Sequence, residues 1–339
     1  MFKNLPAFTD ALHDLPAANE SWREIARERQ AQLTKPAGSL GRLEECAIFL
    51  SGWGSAPEPR AGNARVIVFA GNHGVTARGV SPFPPDVTEQ MVANFANGGA
   101  AINALADASG VTLEVVPLSL DKPTGDISRQ DAMSDAELLD ALNEGASAVE
   151  KGGDVLAFGE MGIGNTTIAA ALAAKSLGGT GADWAGRGTG LDDEGVRLKA
   201  AVIDKALALH TGTESAAEIL RRLGGRETAA IAGAILAARH KAIPVMLDGY
   251  VVSASLAPLF RENPAIAEHC LAGHCSAEQA HARLLTAFGL KPLLNLDMRL
   301  GEGTGAVLAM AILRAAARAH NEMATFAEAR VANRDRGGT

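Results

Sequence analysis

The stretch Asp154-Val-Leu-Ala-Phe-Gly159-Glu160-Met-Gly162-Ile-Gly164-Asn165-Thr166-Thr167, running on into Ile-Ala-Ala-Ala-Leu-Ala-Ala, decides the fold. It reads as an apolar strand, a glycine-rich turn and an alanine-rich helix. A second phrase of the same make-up occurs at Leu293-Leu-Asn-Leu-Asp297-Met-Arg299-Leu300-Gly301-Glu302-Gly303-Thr304-Gly305, before Ala-Val-Leu-Ala-Met-Ala. Such turns bring backbone N–H groups and a helix N-terminus to a ligand, which favours an anion. A glutamate in each copy suits simple anion binding badly and points to proton chemistry beside a phosphate.

Outward from these turns, short apolar runs recur: Val66-Ile-Val-Phe69, Leu113-Glu-Val-Val116, Val155-Leu-Ala-Phe158, Val245-Met-Leu247 and Leu293-Leu-Asn-Leu296. Consecutive apolar positions predict strands buried on both faces, as in parallel sheets. Helical patterns lie at 16–34 and 41–52, then between the strands at about 87–108, 134–151, 165–178, 192–210, 226–241, 250–261 and 276–288. The alternation predicts an α/β fold with a parallel sheet. Ligands of such sheets sit at the carboxyl ends of the strands, where Ala70 to Gly74, Gly159-Glu160, Asp248-Gly249 and Asp297 to Gly305 fall. Lys35 to Ser39 breaks the N-terminal helices, and the Pro/Gly-rich connector from Gly54 to Asn63 is the best boundary in the first third. The charged tail from Val331 to Thr339 is expected to fray.

With 339 residues, 47% apolar and 37 glycines, the composition is globular. Aromatics make up 4% with a single tyrosine, and the net charge is −8, both arguing against a nucleic-acid partner. Cys46, Cys270 and Cys275 make no disulfide framework and suit a reducing interior. No apolar leader and no run of about 18 apolar residues is visible. A cytoplasmic enzyme or binding protein without a membrane partner is expected.

The Gly162–Thr166 turn lacks the lysine of a Walker A loop and the spacing of the dinucleotide fingerprint. It holds a phosphate, or it is an ordinary strand–helix turn capped by Asn165 or Thr166. In Gly186-Arg187-Gly188-Thr189-Gly190, followed by Asp192 and Asp193, the acidic pair suits a helix cap better than a metal. His269, Cys270, His274 and Cys275, with His281 beyond, lack zinc-ligand spacing and read as a polar loop before a helix at Ser276; no metal is expected. His73, between two turn residues at a strand end, is a candidate site residue or a structural donor. Glu302 has two readings with opposite consequences. In a dry pocket its pKa rises and it can act as a general base; at a helix N-terminus the dipole lowers it.

Seven segments occur in one order: Lys35-Pro-Ala-Gly-Ser-Leu-Gly-Arg-Leu-Glu44, Phe69-Ala-Gly-Asn-His-Gly-Val75, Gly159-Glu-Met-Gly-Ile-Gly-Asn-Thr-Thr167, Gly186-Arg-Gly-Thr-Gly190, Leu247-Asp-Gly-Tyr250, Gly273-His-Cys-Ser-Ala-Glu278 and Leu296-Asp-Met-Arg-Leu-Gly-Glu-Gly-Thr-Gly-Ala306. Together they resemble the nicotinate-nucleotide–dimethylbenzimidazole phosphoribosyltransferases of cobalamin lower-ligand assembly, over roughly residues 35 to 310. The resemblance implies a Rossmann-like parallel sheet flanked by helices in a large domain (63–317), and a small helical domain from the two termini (1–62 plus about 318–339). It also implies a homodimer. The implied substrates are nicotinate mononucleotide and a benzimidazole-type base, with no cofactor.

By the same resemblance the catalytic base falls on Glu302 and a second active-site glutamate on Glu160. Phosphate contacts map to Lys199, Ser276 and the turn Gly162, Gly164, Asn165, Thr166. Gly188, Arg299 and Leu300 flank the nucleotide, and Ser81 and Gln90 line the base pocket. Members commonly read Ala-Gly-Asp-His-Gly; here Asn72 loses the charge and keeps size and hydrogen bonding. The expected chemistry is attack of a benzimidazole nitrogen on C1′ as nicotinate leaves, with Glu302 taking the proton of the other nitrogen. Other acceptors (a purine, another benzimidazole, a phenol) and a non-catalytic nucleotide sensor are the alternatives.

Overall fold

The computed structural model describes residues 1–212 and 215–332. Most of the tail expected to fray lies outside them. Strands β1 (Ala64–Ala70), β2 (Thr112–Pro117), β3 (Val155–Met161), β4 (Val245–Leu247), β5 (Cys270–His274) and β6 (Pro292–Leu294) form one sheet in the order β2-β1-β3-β4-β5-β6. Each neighbouring pair is parallel. The α/β parallel-sheet expectation holds. The order reverses between β1 and β3, and in open α/β sheets that switch point opens the ligand crevice at the carboxyl ends.

Helices α1 (Leu5–His13), α2 (Glu20–Gln32) and α3 (Arg42–Trp53) precede the sheet, and α4 (Val87–Ala96) and α5 (Ala101–Ala108) link β1 to β2. Helix α6 (Asp135–Val149) leads to β3. After it come α7 (Asn165–Leu177), α8 (Gly181–Trp184), α9 (Asp193–Leu209), α10 (Ala216–Leu223) and α11 (Arg226–His240). Helices α12 (Tyr250–Glu262), α13 (Gln279–Ala287) and α14 (Thr304–Glu322) follow β4, β5 and β6 in turn.

Strand side chains alternate between the two faces, so β1 serves two cores. Ile67 and Phe69 join the core made with α6, α7, α10, α11 and α12. Val66 and Val68 join the one made with α3, α5 and α14. Helix α7 is buried nearly all round, from Thr167 to Ala174, as its alanine-rich sequence allows. At the termini, Arg29 Nε donates to the His320 carbonyl at 2.8 Å. Leu33 bridges to Thr325, so α2 and the end of α14 are tied together.

Three sequence expectations need correction. Strand β5 occupies what read as a polar loop: its Cys270 and His274 are buried, so two polar-looking residue types masked a strand. The helix expected over 87–108 is two, because Gly98 turns the chain at φ +75° and the Asn103 carboxamide caps Ala100 N–H. Strand β2 is an edge strand, half-exposed throughout, with Glu114 paired to Arg65 and Lys151, each at 2.7 Å. Helices α1, α8 and α10 lie outside every helical stretch that the sequence pattern predicts. Among the described residues, no helix is long and apolar enough to cross a membrane.

Candidate active site

The two glycine–glutamate phrases meet. Glu160 is the penultimate residue of β3. Glu302 lies in the connection between β6 and α14, which returns across the carboxyl end of β3. The contact is reciprocal. A Cβ on Gly159 would strike the Glu302 backbone, and one on Gly301 would strike the Glu160 carboxylate. Glycine is required at 159 by close approach to backbone, and at 301 by its left-handed φ of +87°.

Glu160 is buried, and its Oε2 accepts from Asn165 Nδ2. Burial pushes its carboxyl well above the ordinary range; Asp248 and Glu227 push the same way, Asn165 opposes and Glu302 adds slightly. Asn165 thus serves Glu160, and the cap of α7 is Gly164, with no side-chain hydrogen bond. The capping role considered for Asn165 does not hold.

Gly301, Glu302 and Gly303 all have left-handed backbone, with φ of +87°, +63° and +84°. For a glutamate that conformation costs about 1–2 kcal/mol, and such strain clusters at functional sites. Glu302 is 4% exposed. Its Oε2 has no hydrogen-bond partner among the described residues. Burial raises its pKa, the Ile102 N–H opposes, and Asp248 adds to the rise. Of the two opposed readings of Glu302, the structure favours the dry pocket.

Lys199, mapped by the resemblance to a phosphate contact, is 1% exposed on α9. Its Nζ donates to Thr166 Oγ1 at 3.0 Å and to the Gly186 carbonyl at 3.1 Å. Burial pulls its pKa down to about 8, with Glu278 opposing. Gly188 packs directly on this pair: a Cβ there would lie 3.0 Å from Thr166 Oγ1 and 3.2 Å from Lys199 Nζ. Arg299 Nη1 donates to the Gly188 carbonyl at 3.2 Å. Asp192 caps α9 through the Gly195 N–H at 2.8 Å, as its sequence position suggests, and Asp193 pairs with Arg187.

Gly162, Asn165, Thr166, Gly188, Ser276, Arg299 and Leu300 line one cleft together with Glu160 and Gly301. Lys199 stands behind Thr166, and Glu302 follows Gly301. An adjoining cleft of about 680 Å³ shares Glu278 and Arg299 with it. Ser81 and Gln90 do not line either cleft. Ser81 Oγ accepts the Phe83 N–H at 3.2 Å, and Gln90 is exposed on α4. The residue of this segment that reaches the first turn is Thr88, whose Oγ1 accepts the Ile163 N–H at 3.1 Å.

His73 pairs with Glu227 at 2.9 Å, both fully buried, and a Cβ on Gly162 would lie 3.0 Å from His73 Nε2. The pair braces the first turn from beneath. Asn72 Nδ2 donates to the Leu120 carbonyl at 2.9 Å, a bond an ionised aspartate could not make. His281 Nδ1 accepts the Ser276 N–H at 2.9 Å, so Nε2 carries the proton toward Ser253 Oγ at 3.0 Å; burial holds its pKa at about 3. Sequence reasoning missed the parts played by Asp248, Glu227 and Thr88. Asp248 alone carried a signal, its place at a strand end.

A family model described as phosphoribosyltransferase (DBI_PRT) matches residues 15–331. The nicotinate-nucleotide–dimethylbenzimidazole phosphoribosyltransferase of Novosphingobium aromaticivorans is 56% identical over 333 residues, spanning 98% of each chain. That of Roseobacter denitrificans is 52% identical over 332 residues and 98% of each chain. The crystal structure of CobT from Thermus thermophilus superposes with a TM-score of 0.86 at 42% identity, covering 92% of this chain and 99% of that one.

Proposed function

We propose that this chain, which belongs to the DBI_PRT phosphoribosyltransferase family, moves the phosphoribosyl group of nicotinate mononucleotide onto 5,6-dimethylbenzimidazole. The products are α-ribazole 5′-phosphate and nicotinate. The observation that carries the reading is Glu302: a buried carboxylate with raised pKa and an oxygen unpartnered among the described residues, beside a cleft lined by a phosphate-type turn.

In the mononucleotide the nicotinate ring is a pyridinium, so it departs as a neutral ring nitrogen and needs no strong acid. One benzimidazole nitrogen attacks C1′ from the opposite face, inverting β to α. The other nitrogen gives its proton to Glu302, a step in which a general base contributes about 10²–10⁴-fold. The Gly162–Thr166 turn and the N-terminus of α7 take the phosphate, with Lys199 and Ser276 beside them. Gly188, Arg299 and Leu300 border the nucleotide. Holding both substrates in one cleft supplies the remaining acceleration. Glu160 orients the Glu302 turn from below. We assign α1 to α3 with the end of α14 to a small helical domain; Ser81 and Gln90, which line neither cleft, come to the base site only by the family resemblance. The family resemblance implies a homodimer, which sedimentation will read.

Incubation with nicotinate mononucleotide and a panel of bases, with products identified by mass, tests the reaction. Equimolar nicotinate and α-ribazole 5′-phosphate are expected with 5,6-dimethylbenzimidazole. No nicotinate release with any base would overturn the reading.

A further inference from the structure

We propose that Asp248 is the positioning residue for Glu302, pinning the left-handed turn and supplying the negative charge behind it. The inference rests on Glu302 being the base of the proposed reaction.

Asp248 follows β4 and is 1% exposed. Its Oδ2 accepts the Gly303 N–H at 3.2 Å and its Oδ1 the Ala306 N–H at 2.9 Å. The two donors sit on either side of the junction between the turn and α14. The first N–H groups of a helix have no partner within it, and here a side chain from another strand satisfies the Ala306 N–H. A single carboxylate therefore fixes the last residue of the strained turn and the helix that follows. An asparagine could accept only one of these bonds, because its NH₂ would face the other N–H.

The groups facing Glu302 are Glu160 from β3, Asp248 from the end of β4 and the Ile102 N–H from α5. His274, from β5, stands with Nε2 3.6 Å from Asp248 Oδ1, beyond hydrogen-bond distance. That distance is within ion-pair reach, so His274 offsets the Asp248 charge only when it carries a proton. Asp248 thereby makes Glu302 a stronger base, by geometry and by field.

The test is Asp248→Asn in the full chain, with nicotinate mononucleotide and 5,6-dimethylbenzimidazole. The expected result is a roughly 10- to 100-fold fall in kcat with KM for the mononucleotide changed less than about threefold, the pattern of a lost transition-state interaction. The acid limb of the kcat profile should move down by about one pH unit, as loss of a nearby charge requires. An unmoved acid limb, or a loss confined to KM, overturns the proposal. Should the variant fail to fold, amide hydrogen exchange on the wild-type protein decides: slow exchange at Gly303 and Ala306 supports the two bonds, and unprotected rates there overturn them. Wild-type nicotinate release is the control. Its absence counts against the transferase, and its presence means that the variant's kinetics bear on Asp248 alone.

Discussion

The two glycine–glutamate turns are alike in sequence and opposite in construction. In the first, Glu160 sits in regular strand geometry, and a few residues later Gly164 opens α7. In the second, β6 ends at Leu294, and the chain runs through irregular backbone to a left-handed turn before Thr304. The first glutamate is held by Asn165; the second keeps an oxygen with no partner among the described residues. On the proposed function, the regular first turn is the phosphate cradle and the strained second turn presents the base. Similar composition has been turned to two tasks by the length and hand of the backbone around it.

The sharpest test of this division is the same substitution made in both turns. Glu302→Gln removes the proton acceptor while keeping shape, and kcat should fall about 10²–10⁴-fold with KM for nicotinate mononucleotide little changed. Its counterpart in the wild-type pH profile is an acid limb of kcat above the ordinary glutamate range, because burial raises the Glu302 pKa. Wild-type turnover by Glu302→Gln would end the assignment.

The first turn should fail differently. Lys199→Met removes one charge-assisted contact to the phosphate, worth about 1.5–3 kcal/mol, so KM for the mononucleotide should rise roughly 10- to 100-fold while kcat holds. Lys199 loses its proton near pH 8 in the free enzyme. Wild-type kcat/KM should therefore fall above that pH, and Lys199→Arg should flatten the fall, since arginine stays charged. Steady-state kinetics from about pH 6 to 10 reads both. A kcat loss as large as that of Glu302→Gln would erase the distinction between the turns.

Much of this arrangement was legible in sequence, and the failures have physical causes. The interior strands were readable because parallel pairing buries both faces, giving apolar runs such as Val66 to Phe69. Strand β5 was not, because Cys270 and His274 are polar by type and buried in fact. Both glutamates were visible by their glycine flanks. Their contact was not, since β3 and β6 are separated by two strands in the sheet, and nothing local says that the loop after β6 folds back. Lys199 looked ordinary because its burial depends on Gly186, Gly188 and Thr166 arriving from elsewhere. Asp248 shares that fate, its partners lying 55 and 58 residues away.

Glu160→Gln closes the comparison with the smallest kinetic effect. Burial favours the neutral form of the Glu160 carboxyl, and glutamine reproduces that form. The fall in kcat should therefore stay within about tenfold, orders of magnitude below that of Glu302→Gln. Stability should move the other way. The folded protein holds the Glu160 proton more tightly than the unfolded chain does, so this group favours folding at low pH. That contribution fades as pH rises above the ordinary glutamate value toward the raised one. Glutamine has no proton to lose. Glu160→Gln should match wild type near pH 5 and melt higher by about 2–4 °C per kcal/mol relieved at pH 8. Melting curves at the two pH values read the difference. A variant that melts lower at pH 8 would mean that Glu160 is ionised and paired in the native state, and the two turns would then hold two charged carboxylates rather than one.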